Sequence, residues 1–288
     1  MPKAGFEEKQ FESAANMELT LYHPGVFASG QVLEGVVGYD VAANQPQNAP
    51  IWQLIGVNAP SGLQLVPNHW NGQRTRPKAA ELPSTFVSLI IQYKRPQYLN
   101  TSRAAQWHHW KTPYFRFEIS NYAPTHQHDT LMDLEAALSP NAVVQYACPA
   151  FLTLANLQTH QLNRTILAST NFVEPSGIGG HSVWTYTNAG TIGYANPQGE
   201  EIKGRSFKQV WSLVERRGKK ENLLQHLRRL AEGIERNEQR ELDLDWLDAF
   251  PVNDLSPARI QGLRDVVSLG STFGRMGASW SIVDLETP

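Results

Sequence analysis

The sequence predicts an α/β or α+β core over residues 1–204, followed by a helical extension over 205–288. Three observations carry that expectation. Short apolar runs bounded by Gly and Pro alternate with amphipathic stretches through the first part of the chain. A Ser206-Phe207-Lys208-Gln209 capping box then opens a helix. Beyond it Leu223, Leu224, Leu227, Leu230 and Ile234 recur at helical spacing inside a strongly charged segment.

Residues 6–21 read as an amphipathic helix with Phe6, Phe11, Ala14, Ala15 and Leu19 on one side, ended by His23-Pro24-Gly25. Residues 26–43 hold one or two strands broken at Gly35 and Gly38, and 51–57 is a further apolar run. The stretch 58–84, rich in Pro, Asn and Gly, is long for a connection inside a compact domain and reads as an insertion. Strands follow at 86–94 and 114–119, then a helix over 126–138 stopped by Ser139-Pro140. Residues 143–147 and 166–173 read as strands, and 182–186 with 191–194 as a hairpin across Asn188-Ala189-Gly190. Ser176 to Gly180 reads as a turn, because no Lys-Ser/Thr follows it as a phosphate cradle requires. Gly218 breaks the first C-terminal helix, and 219–241 reads as a second. Its mixed charges suit a solvated face, while its Leu stripe suits the core, a second copy or a partner protein.

The net charge of −2 removes any global basic field, so a polyanion site has to be local. The one cysteine, Cys148, sits in an apolar run; that argues against a disulfide framework and against cysteine-based zinc, and reads as a buried thiol. Neither Trp107-His108-His109-Trp110 nor His126-Gln127-His128-Asp129 has the spacing of a zinc site. There is no Gly-x-Ser-x-Gly elbow for a serine hydrolase. The first residues are too acidic and polar for a signal peptide, and no apolar run of about 18 residues exists, so a cytoplasmic protein without membrane contact is expected.

The chemistry concentrates at Ser88-Leu89-Ile90-Ile91-Gln92-Tyr93-Lys94, where an apolar run emerges into a polar-x-Lys pair and Pro96 stops it. A lysine leaving a buried strand requires a partner or a cavity, whereas the bland alternative is a solvated strand end. Residues 92 and 94 project from one face of a strand. Asp40 supplies a carboxylate in the short strand Gly38-Tyr39-Asp40-Val41-Ala42. Metal-assisted phosphodiester hydrolysis takes hard oxygen ligands for Mg²⁺ or Mn²⁺ and a cation beside the phosphate. Asp40, the Gln92 carbonyl and the Tyr93 backbone carbonyl are candidate ligands, and Lys94 is the cation.

In that order Asp40, Gln92 and Lys94 resemble the motif of the PD-(D/E)xK nuclease superfamily, in the branch with Gln in place of the second acid. The resemblance implies a restriction-endonuclease-like mixed central sheet flanked by helices and Mg²⁺- or Mn²⁺-dependent cleavage of DNA, with RNA drawing on the same residues. It also implies an anti-phage or restriction setting. The family's helix glutamate has three candidates, in the order Glu34, Glu8 and Glu12; Glu8 and Glu12 share one helix face. Arg95, Arg103, Trp107, Trp110, Lys111, Tyr114 and Arg116 interleave basic and aromatic side chains, a mixture suited to phosphate neutralisation and base stacking. Gln127, opening the next helix, stands where some family members carry a further polar site residue. The second reading, favoured by the amide at 92, is a catalytically inactive scaffold that binds nucleic acid or a partner protein within a complex.

Overall fold

The computed structural model describes residues 3–28, 83–119, 127–190, 192–235, 257–275 and 277–287. In chain order the elements are helix α1 (Glu8–Tyr22), strands β1 (Val26–Ala28), β2 (Ser84–Tyr93) and β3 (Gln97–Leu99), and the single turn α2 (Trp107–Trp110). Next come β4 (Tyr114–Glu118), α3 (Gln127–Leu138), β5 (Ala142–Pro149), α4 (Leu154–Asn163), β6 (Thr170–Val173), β7 (Val183–Tyr186), β8 (Ile192–Asn196) and β9 (Glu200–Lys203). The C-terminal elements are α5 (Phe207–Arg217), β10 (Lys219–Glu221), α6 (Leu223–Glu235), α7 (Pro257–Arg275) and β11 (Ser279–Asp284).

Two open sheets result. The first runs β1-β11-β2-β5-β6, with β10 also paired to β2. It is mixed: β2 and β5 are parallel and its other pairs antiparallel. The second, β3-β4-β7-β8-β9, is antiparallel throughout.

β2 is the spine of the first sheet, buried on both faces as its continuous apolar run dictates. Val87, Leu89, Ile91 and Tyr93 face a layer built from Phe11, Ala15 and Leu19 of α1 with Val210, Trp211 and Val214 of α5. Phe86 and Ile90 face the opposite layer, which joins α3, α6, α7 and the inner face of the second sheet. Each fully buried large apolar side chain contributes about 1.5–3 kcal/mol. The Leu stripe is spent here: Leu223, Leu227, Leu230 and Ile234 are buried in that layer beside Leu131, Leu134 and Leu138.

The C-terminal extension, expected to be helical, also carries strands. Lys219-Lys220-Glu221 pairs with the start of β2, Lys219 opposite Phe86, so the second helix begins only at Leu223. Ladder hydrogen bonds override the local helical propensity of these charged residues. Gly218 ends α5 where a Cβ would lie 2.5 Å from a Leu285 methyl and 2.7 Å from the Thr85 methyl, so a larger residue would have to displace those side chains. β11 lies between β1 and β2, Ser279 opposite Ile91. The expected strand over 166–173 begins as a 3-10 turn at Leu167–Ser169 and extends only from Thr170. Helix α4, capped by the Thr153 side chain on the Asn156 N–H, had no counterpart in the sequence reading. Asp40, Glu34, His126, the run at 51–57 and nearly all of the expected insertion at 58–84 lie outside the described residues.

Candidate functional site

The site forms where the parallel pair β2/β5 ends. The Lys94 N–H donates to Ala147 O at 2.9 Å, carrying the pairing one residue past β2 before Pro96 forbids more. Gln92 is 1 % exposed and Lys94 9 %. Their side chains are joined by Gln127, the first residue of α3. Lys94 Nζ donates to Gln127 Oε1 at 3.0 Å, and Gln127 Nε2 donates to Gln92 Oε1 at 2.9 Å. Gln92 Nε2 in turn donates to Gly277 O at 2.9 Å. The chain therefore runs from an ammonium through two amides to a backbone carbonyl, each link joining an N–H donor to an oxygen acceptor. Lys94 Nζ also stands 5.6 Å over the Tyr146 ring, a cation–π contact from β5.

Glu8 closes the other side. A capping box between Glu7 and Gln10 starts α1 and puts Glu8 in its first turn, half-buried beside the end of β2. Its carboxylate accepts the Arg95 backbone N–H and faces Lys94. Burial raises the Glu8 carboxyl above its ordinary pKa, with Lys94 and the Arg95 N–H pulling the other way. Burial likewise lowers the Lys94 ammonium, opposed by Glu8. Desolvation thus drives both groups toward neutrality while each holds the other charged. Glu12, one turn on, is ion-paired with Lys9 at 2.8 Å.

The structure brings together Glu8, Gln92, Lys94 and Gln127. The other sequence candidates are elsewhere. Arg95 is tied to Glu7 at 3.0 Å and to Ala4 O. Arg116 Nε donates to Gln97 Oε1 at 2.8 Å on the outer face of the second sheet. On that same face α2 lies with Trp110 Nε1 donating to Thr185 Oγ1 at 3.1 Å and His109 stacked on Tyr194. Trp107 is half-buried there, and Arg103 and Lys111 are exposed. Three site residues escaped the sequence reading. Tyr146 and Gly277 touch the network, and Cys148 Sγ donates to Lys94 O at 3.2 Å. The one local signal was Gly277, a glycine standing between a helical pattern and the alternating Ser279-Trp280-Ser281-Ile282.

Among the described residues no group of three or more His, Cys, Asp or Glu converges to hold a metal ion. The donors at hand are the Glu8 carboxylate and the Gln92 and Gln127 amide oxygens. All are hard oxygens, the kind Mg²⁺ and Mn²⁺ take.

A second polar cluster sits on the same face of β2. Trp280 Nε1 donates to Ser88 Oγ at 3.0 Å, and Ser88 Oγ lies 2.9 Å from His226 Nε2. An indole can only donate, so the Ser88 hydroxyl donates to Nε2, which accepts. The imidazole proton then sits on Nδ1, facing Glu221 Oε1 at 2.9 Å. Arg229 pairs with Glu221 and donates to Asn141 Oδ1 at 3.0 Å. The Ser-His-Glu order imitates a hydrolase triad, but Ser88 and His226 are 0 % exposed, beyond any substrate's reach.

No family model, no curated protein and no solved structure matches this chain. Among the described residues no helix is long and apolar enough to cross a membrane.

Proposed function

We propose that the chain is a restriction-endonuclease-like, PD-(D/E)xK-type nuclease that hydrolyses DNA phosphodiester bonds with Mg²⁺ or Mn²⁺. The observation that supports this reading is the convergence of Gln92, Lys94 and Gln127 in one hydrogen-bonded chain, with Glu8 facing Lys94. These four residues meet where a parallel strand pair ends, in the chain order helix acid, Gln-x-Lys and a further glutamine; the family's strand acid, Asp40 here, lies outside the described residues.

In this reading Asp40 would ligate the cation, with Glu34 or Glu8 as the second carboxylate, and the Gln92 amide oxygen would complete the metal or water shell. The bound ion supplies a polarised phosphate and a water of lowered pKa. Lys94 orients the attacking water or stabilises charge on the phosphorane. Gln127 holds the Lys94 ammonium until substrate arrives. Arg103, Trp107, Lys111 and Arg116 contact the nucleic acid away from the reacting phosphate. An anti-phage or restriction effector is the setting that fits, in the cytoplasm, and RNA would meet the same residues. The amide at 92 favours a second reading, in which the same scaffold binds nucleic acid or a partner protein without cutting.

Plasmid and linear DNA incubated with Mg²⁺, Mn²⁺ or EDTA separate the two. The nuclease reading expects metal-dependent nicking that Lys94→Ala abolishes. Nicking that survives Lys94→Ala, or DNA binding without cleavage under every metal condition, would sink it.

A further inference from the structure

The residue at 92 is an amide where the resembled family more often has an acid, and the reason lies in the C-terminal part of the chain. Helix α7 ends on paired hydrogen bonds: Gly277 N–H to Gly274 O at 3.0 Å and Ala278 N–H to Phe273 O at 2.9 Å. That is the Schellman stop, and it needs a residue of positive φ, here Gly277 at +64°. The stop frees the Gly277 carbonyl from the helix and aims it at Gln92. β11 follows at once and pairs with β2, Ser279 opposite Ile91, which pins the turn against the strand end.

Gln92 Nε2 consequently faces two backbone carbonyls, Gly277 O at 2.9 Å and Tyr93 O at 3.4 Å. Its Oε1 faces the Gln127 amide. A carboxylate at 92 would set an oxygen carrying negative charge against both carbonyls, with no proton to share and at a site 1 % exposed. We propose that Gly277 is a positioning residue: its carbonyl selects an amide over an acid at 92 and turns the Gln92 oxygen toward Gln127, which in turn holds Lys94. The function of that orientation rests on the nuclease reading; the selection itself does not. The C-terminal helix stop is then part of the candidate site.

Gln92→Glu and Gln92→Ala in the full chain test this. Thermal midpoints are measured in EDTA and Mn²⁺ binding by titration calorimetry. Added negative charge alone would tighten Mn²⁺ binding. The selection instead predicts that Gln92→Glu melts several degrees below Gln92→Ala and binds Mn²⁺ no more tightly than the wild type. Gln92→Glu melting level with the wild type, or binding Mn²⁺ tenfold more tightly, overturns the proposal. Should Gln92→Glu not fold, side-chain amide exchange in the wild type decides. The Gln92 NH₂ signals, assigned by their loss in Gln92→Ala, should be protected and should exchange faster in Gly277→Ala; unprotected signals overturn it. A wild type that neither binds Mn²⁺ nor cuts DNA defeats the nuclease reading, while the EDTA melts still decide the selection.

Discussion

Two polar clusters lie on one face of β2, separated by Ile90, and they differ in where their hydrogen-bond chains end. The Ser88 chain passes through His226 and Glu221 to Arg229, each step buried or ion-paired. It binds β2, β10, β11 and α6 into one unit. The Gln92 chain ends on the Lys94 ammonium, for which Gln127 Oε1 supplies one acceptor, the Tyr146 ring a π face and Glu8 an opposing charge. A closed chain of partners rigidifies a core. A chain that stops on a desolvated ammonium beside a desolvated carboxyl instead leaves two groups that burial pushes toward neutrality. Burial alone does not tell these apart; the terminus of the network does.

A crossed pair of variants tests the contrast most severely. Lys94→Ala should lower DNA cleavage by about 1,000-fold, roughly 4 kcal/mol of transition-state stabilisation, and cost only about 1–2 kcal/mol of unfolding free energy. It takes a partner from Gln127 and Glu8 but also removes a desolvated ammonium. His226→Ala should do the reverse. It leaves the buried Ser88 hydroxyl without its acceptor, takes one donor from Glu221, which keeps Arg229, and opens a cavity, costing about 3 kcal/mol in a denaturant melt, while cleavage by the folded fraction persists. Equal effects of the two variants on stability would erase the distinction.

Acid sharpens it further. Burial lowers the His226 pKa from its ordinary 6.5 more than Glu221 raises it. The folded state keeps the imidazole neutral, while the unfolded chain takes up a proton below pH 6.5. Stability therefore falls as pH drops below that value, by at most about 1.4 kcal/mol per pH unit from this one group. His226→Gln should flatten the slope measured from pH 7 to 5. Part of it will remain, because burial also lowers His23, His128 and His160. An unchanged slope would mean His226 is already protonated in the folded protein.

The smallest effect belongs to the second sheet. Trp107→Ala should leave the thermal midpoint nearly unchanged and weaken single-stranded oligonucleotide binding in EDTA by about 5- to 20-fold. Unchanged affinity would remove α2 from the nucleic-acid surface.

What could be read in the sequence was local. β2 announced itself through Leu89-Ile90-Ile91, the shared face of Gln92 and Lys94 followed from strand geometry, and the Ser206–Gln209 box opens α5. Gln127 is legible as a helix opener where the resembled family carries a further polar site residue; its bonds to Gln92 and Lys94 depend on how α3 docks. β10 and β11 could not be read the same way. Lys219-Lys220-Glu221 has the composition of a helix, and only the edge of β2 makes it a strand. Trp280 and Ile282 alternate with Ser279 and Ser281, yet their partner is a strand far upstream. The order in which the candidate glutamates were ranked shows the same limit: Glu8 reaches Lys94 through the docking of α1, which no spacing encodes.

The place of β11 between β1 and β2 has a consequence for the order of synthesis. A chain emerging from the ribosome presents β2 long before the strand that will lie against it. At ~5–20 residues per second, roughly 10–40 s separate the appearance of Gln92 from that of Gly277. Through that interval β2 has a bare edge, the Gln92 amide lacks its acceptor, and the lysine has no finished surroundings. Gln92 can therefore take up the arrangement described above only once the turn at Gly277 and the strand after it have been made.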